Sequence, residues 1–154
     1  NEVTGLERLH LDDNLLTTLA LSIFDGVTGL EVISLNNNQL TTLPLGVFDE
    51  ESDLKVLDFA NNRLTLQQGF FDELTELLGV DLYSNSLTAL PVGVFNELAN
   101  LTYLNLNDNE LTDTEQDRIR IEVRALPEMV NDWDIDCYTG GDGDDDDDSC
   151  EGAE

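Results

Sequence analysis

Basic residues are scarce in this sequence. Six lysines and arginines stand against 34 aspartates and glutamates, a net charge of −28 over 154 residues. Such a polyanion repels phosphate backbones and anionic headgroups, which argues against nucleic acid and membrane surfaces as partners. Long apolar runs are missing too. None approaches the roughly 18 residues a membrane span needs, so no membrane insertion is expected. The only histidine is His10, and the two cysteines are Cys137 and Cys150. A zinc site needs about four ligands, and these are too few and too scattered. The chain has no nucleophile elbow, phosphate loop, H-E-x-x-H or C-x-x-C. Paired acids abound everywhere, so no pair singles out glycosidase chemistry. The expectation is a protein that is not an enzyme and carries no cofactor, calcium being the one candidate ion. Forty per cent of the residues are hydrophobic, enough for the core of one domain.

What the sequence has in abundance is period. Asn14, Asn38, Asn62, Asn85 and Asn109 are spaced by 24, 24, 23 and 24 residues. Apolar residues keep fixed offsets before each: Leu6, Leu9 and Leu11; Leu30, Ile33 and Leu35; Leu54, Leu57 and Phe59; Leu77, Val80 and Leu82; Leu101, Leu104 and Leu106. Phe24, Phe48, Phe71 and Phe95 close four of the five units. The short apolar–x–apolar segment reads as a strand with its leucines turned inward. The asparagine turns the chain and can satisfy backbone groups inside the turn, so stacked units should form an asparagine ladder. The phenylalanines should stack as a second spine on the opposite, convex side. No unit buries its apolar edge alone, so neighbours must stack into a solenoid. The third repeat is one residue short, with 9 residues from Asn62 to Phe71 where the others have 10. A local kink on the convex side is expected there.

The pattern L-x-x-L-x-L-x-x-N-x-L, with segments such as QLTTLPLGVFDE and SLTALPVGVFNEL, resembles the leucine-rich repeat family. It is similar to the typical 24-residue extracellular class found in variable lymphocyte receptors and Toll-like receptors, without their cysteine caps. The resemblance covers residues 1–112, a stub plus five repeats. It implies an α/β repeat solenoid, a curved right-handed superhelix with a parallel sheet on its concave face, used for protein or glycan recognition outside the cell or on its surface.

Both ends depart from the repeat. Asn1 to Leu6 align with Asn96 to Leu101, so the sequence starts one residue after a phenylalanine slot. This favours a segment of a longer chain, with a minimal cap as the alternative. Either way, apolar groups near Val3, Leu6 and Leu9 would be thinly covered, and the uncapped first strand edge offers a route to self-association. At the other end, residues 113–138 read as a C-terminal cap. Thr112 and Glu115 fit a capping box, and Ile119, Val123 and Leu126 follow at helical spacing. A strand pattern competes, since Ile119, Ile121 and Val123 alternate; the cap signal and Ala125 favour the helix. Pro127 would end it. Trp133, Ile135 and Cys137 then read as a last strand.

Residues 139–154 form an acidic tail. It is a solvated run or a weak, irregular calcium site at Asp142, Asp144, Asp146 and Asp148. A Cys137–Cys150 disulfide would close a short loop around that run and suits an oxidising exterior. The acid excess as a whole fits a soluble acidic surface, a halophilic or marine setting, or contact with divalent cations outside the cell.

Function falls to the outward side chains of the strands. The candidate ligand-binding residues are Arg8, His10, Asp12, Ser34, Asn36, Asp58, Asp81, Tyr83, Tyr103 and Asn105. Tyrosines among short polar groups suit recognition, and Tyr83 and Tyr103 are the anchor candidates. Val32, Val56 and Ala60 add a mild apolar strip. Asp13, Asn37, Asn61, Ser84 and Asp108 form a further column beside them. The expected role is recognition of a protein or glycan through the concave face. The alternative is a structural spacer in a larger surface protein, stabilised by calcium on the tail.

Overall fold

The computed structural model describes residues 3–123. The strand expected at Trp133–Cys137, the cysteine pair and the acidic tail lie outside the described residues. Five three-residue strands form one parallel sheet: β2 (Arg8–His10), β4 (Val32–Ser34), β5 (Val56–Asp58), β6 (Gly79–Asp81) and β7 (Tyr103–Asn105), in that spatial order. The register pairs Arg8 with Val32, Val32 with Val56, Val56 with Gly79 and Gly79 with Tyr103. It repeats the asparagine spacing, so the short step of the sequence falls between β5 and β6. A second, two-stranded parallel sheet pairs β1 (Val3–Thr4) with β3 (Val27–Thr28). Helix α1 (Asp113–Glu122) follows the last repeat.

The inward residues behave as the pattern requires. Leu30, Ile33, Leu35, Leu40, Leu54, Leu57 and Phe59 are wholly buried. Full burial of such a side chain is worth about 1.5–3 kcal/mol. Leu6, Leu9, Leu11 and Leu16 hold the same slots in the first repeat and are only half-buried, since no described turn lies upstream of them.

The asparagine ladder joins each turn to the one before it. The Asn62 amide donates to the carbonyls of Leu35 (2.9 Å), Phe59 (3.0 Å) and Ala60 (3.2 Å). Its Oδ1 accepts the Leu40 N–H at 3.0 Å. Asn38, Asn85 and Asn109 repeat the scheme, taking the N–H of Leu16, Leu64 and Leu87. Asn14 donates only within its own turn, to Leu11 and Asp12. The ladder therefore runs side chain to backbone rather than side chain to side chain. Each of the carbonyls of Leu11, Leu35, Phe59 and Leu82 is shared by two successive asparagines.

The residue before each ladder asparagine lies in the left-handed region: Asp13, Asn37, Asn61, Ser84 and Asp108, with φ from 52° to 54°. Asparagine and aspartate tolerate this geometry; most other side chains do not. This column, read from sequence as outward display, is selected by the turn. Serine is the exception, and Ser86 in the same turn also has positive φ.

The expected single phenylalanine spine is two stacked pairs. Phe24 lies on Phe48 at 5.5 Å and Phe71 on Phe95 at 5.7 Å, with interplanar angles of 25° and 24°. Between them Phe70 is wedged edge-on, 6.0 Å from Phe48 and 4.9 Å from Phe71. Phe70 stands where Val47 and Val94 stand in the neighbouring turns, and with Phe59 it fills the space between the pairs.

Helix α1 begins at Thr112, whose hydroxyl accepts the Glu115 N–H at 3.3 Å. Ile119 and Val123 are buried and Ile121 is exposed, so the helical spacing prevails over the strand pattern. The capping box is half-formed, because the Glu115 carboxylate has a different task. It accepts the Leu90 N–H at 3.0 Å, while Glu122 accepts the Gly93 N–H at 3.1 Å and Arg118 donates to the Leu90 carbonyl at 2.8 Å. Arg118 also bridges both glutamates. Three charged side chains thus occupy backbone groups of the fourth repeat that a further turn would otherwise cover.

Asn62→Ala should cost about 2–4 kcal/mol, because the buried Leu40 N–H loses its acceptor while the shared carbonyls each keep one donor; urea unfolding measures it. Ser84→Asn should gain up to about 1 kcal/mol in the same assay by easing the left-handed turn. The bond to Arg118, then the Leu90 N–H, holds the Glu115 carboxyl down to about 2. A lowered acid stabilises fully above its unfolded value and loses that contribution as pH falls through its folded value. Glu115→Gln should therefore loosen the helix at neutral pH, and its difference from the parent should vanish as pH falls from about 4.5 to 2. Helix-specific hydrogen exchange reads both.

Candidate functional site

The last three strands, β5, β6 and β7, exit into turns whose first free N–H needs an acceptor, and a short acidic or amide side chain two residues back supplies it. Asp58 Oδ1 accepts the Ala60 N–H at 2.9 Å, Asp81 Oδ1 accepts the Tyr83 N–H at 2.7 Å, and Asn105 Oδ1 accepts the Asn107 N–H at 3.1 Å. The sheet register sets these three side chains next to one another. Their remaining capacity links the strands laterally. Asn36 donates to Asp58 Oδ2 at 2.5 Å and to the Ser34 hydroxyl at 3.1 Å. Tyr103 donates from its hydroxyl to Asp81 Oδ2 at 2.8 Å, and Asn105 donates to the same oxygen at 3.2 Å. The outcome is two polar clusters side by side on the sheet face, Ser34–Asn36–Asp58 and Asp81–Tyr103–Asn105, which adjoin at the mutually repelling Asp58 and Asp81.

Burial is unequal along this face. Ser34, Asp58, Asp81 and Tyr103 are buried, exposing 2–6% of their surface. The Tyr103 ring covers Gly79: a Cβ placed there would lie 3.5 Å from the ring and 3.9 Å from Val56. Val32 and Val56 are equally buried, so the apolar strip is floor rather than display. Asp12, Asn36, Ala60, Tyr83 and Asn105 are half-buried, and Arg8 and His10 are exposed. His10 and Asp12 approach to 3.7 Å. Tyr83 donates to Asp108 at 2.5 Å, so the two tyrosines are tied to different carboxylates.

The electrostatics follow from packing. Burial raises the Asp58 carboxyl above its ordinary range; the Asn36 amide and the Ala60 N–H pull it back, and the neighbouring Asp81 charge pushes it further up. Burial, then the Asp81 charge, raises the Tyr103 phenol, so it remains a donor at every physiological pH. Tyr83 is raised chiefly by its bond to Asp108.

Among the described residues no three His, Cys, Asp or Glu side chains are grouped to hold a metal ion. The tail aspartates and both cysteines lie outside those residues. A cleft of about 240 Å³ opens between β7 and α1, floored by Leu104, Leu111 and Ile119 and rimmed by Asn107, Gln116 and Arg120. It is smaller than the usual small-molecule site of about 300–1,000 Å³. No helix among the described residues is long and apolar enough to cross a membrane.

Sequence reasoning named the outward residues but missed how they are joined. The aspartate or asparagine two places before each turn residue was a legible signal for the strand-exit bonds. The Tyr83–Asp108 bond spans neighbouring repeats and had no local signal.

Solved structures share this architecture. A leucine-rich repeat protein of Leptospira interrogans, LIC12759, is 29% identical with a TM-score of 0.72, covering 80% of this chain and 31% of that one. The leucine-rich repeat domain of APL1B is 28% identical with a TM-score of 0.58, covering 64% and 29%. This chain thus spans less than a third of either. None of the curated proteins matches it in sequence. The leucine-rich repeat family matches residues 4–64 and 52–111, more than half of the sequence. With the ladder, the parallel register and the strand-exit bonds in place, the chain belongs to the leucine-rich repeat family.

Proposed function

We propose that this chain is a recognition module that binds a protein or glycan partner through the concave face of its five-stranded sheet, outside the cell or on its surface. Leucine-rich repeats are generally protein-interaction modules. The observation that carries the reading here is the pair of hydrogen-bonded clusters on that face, Ser34–Asn36–Asp58 and Asp81–Tyr103–Asn105. Its side chains are ordered before any partner arrives, which removes much of the entropic cost of presenting them. The buried members act as the frame. The accessible ones, Arg8, His10, Asp12, Asn36 and Tyr83, make the contacts, with Tyr83 as the aromatic anchor. The excess of acid favours a partner with a basic surface and a salt-sensitive association rate.

Binding to arrays of secreted proteins and of glycans tests the reading. Tyr83→Ala should weaken any specific hit about 30-fold or more with little change in melting temperature, and raised salt should slow association. Val92→Ser, on the exposed convex side, should leave affinity unchanged. Hits that lose affinity with Val92→Ser and keep it with Tyr83→Ala would move the site off the concave face.

A further inference from the structure

Glu51 stands in a slot that its neighbours fill with hydrocarbon. Three residues after the phenylalanine of each convex turn come Val27, Glu51, Leu74 and Leu98. Leu74 and Leu98 are 2% and 1% exposed, and Glu51 is 2% exposed. The backbone treats all three alike. Glu51, Leu74 and Leu98 each donate to the phenylalanine carbonyl three residues back, at 2.9, 3.0 and 3.1 Å. Each then accepts the N–H three residues on, from Leu54, Leu77 and Leu101, at 3.1 Å. The turn therefore directs a carboxylate where it directs leucine elsewhere. Neither Glu51 oxygen has a hydrogen-bond partner.

The surroundings oppose ionisation. The charges acting on Glu51 are Asp53 and then Glu50, both acidic and both on its own turn. From the upstream turn the Leu30 backbone faces it and pulls the other way, without reaching hydrogen-bond geometry. A carboxylate without a partner is far costlier to bury than its neutral acid. At this location the convex ring stacking is also interrupted, because Phe48 meets the next repeat through the tilted Phe59 and the edge-on Phe70 rather than a stacked ring.

We infer that Glu51 is an acid-responsive fastener between the second and third repeats. Neutral, it packs as a leucine surrogate and closes the convex turn; ionised, it loosens that turn locally. Burial, then the Asp53 and Glu50 charges, raise its carboxyl above the ordinary value of 4.5. For a raised group the stabilising contribution is complete below the unfolded value and is lost as pH rises through the folded one. Within that window each pH unit changes the closed-to-open ratio up to about tenfold. The module would hold this joint tighter in a mildly acidic compartment than at neutral pH.

The test compares the parent, Glu51→Leu and Glu51→Gln at constant ionic strength from pH 4.5 to 8. Thermal unfolding and hydrogen-exchange protection of residues 47–54 are followed. Self-repulsion of the polyanion is nearly common to all three proteins, so the difference between them is the readout. Both variants should exceed the parent in melting temperature and in local protection at pH 8, by about tenfold in protection for each unit of the shift. The excess should shrink as pH falls to 4.5. A difference that stays constant across the range would overturn the inference. So would a Glu51→Leu protein less stable than the parent at pH 8, since it would show the carboxylate making a bond. If Glu51→Leu fails to fold, Glu51→Gln carries the comparison alone, and a pH-independent gap between it and the parent overturns the inference equally.

Discussion

The whole solenoid depends on getting buried backbone groups satisfied without regular secondary structure. Strands of three residues cannot pair most of the chain, and the turns that close each coil run past a dry core. One primary amide per turn resolves this, because it carries two donors and an acceptor in a plane. At Asn62 three carbonyls and one N–H converge on a single side chain. No other neutral side chain of that size can replace it. The left-handed residue before it and the leucines around it are consequences of holding that amide in place.

The same problem recurs at the C-terminal end, and there charge answers it. There Glu115, Glu122 and Arg118 reach back from the helix to backbone groups of Leu90 and Gly93. Charge-assisted bonds of this kind exceed neutral ones in strength. On the sheet face acids serve a third purpose, closing strand exits and bridging neighbours. The surplus of aspartate is therefore more than a solvation coat: part of it is built into the coil.

Much of this was legible in the residues. The fold, the ladder positions and the outward columns follow from period and side-chain chemistry, since their local requirements recur in five repeats, and the helix start follows from its capping residue. What was not legible depends on contacts between repeats. The wedge of Phe70 needs the shape of the space between the two stacked pairs. The burial of Tyr103 depends on Gly79 in the neighbouring strand making room for its ring. Glu51 looks like one more surface acid until its slot is compared with Leu74 and Leu98.

The ladder's preference for backbone partners has a consequence for how such chains change. An asparagine that bonded its neighbour's side chain would tie two turns into a co-evolving pair. Here the cross-turn bonds of Asn38, Asn62 and Asn85 go to peptide groups, which every residue type except proline carries in full. A turn can then be duplicated, exchanged or removed by recombination without rewriting the turn beside it. Length becomes a freely heritable variable, and the outward columns can diversify turn by turn while the joints between turns stay the same.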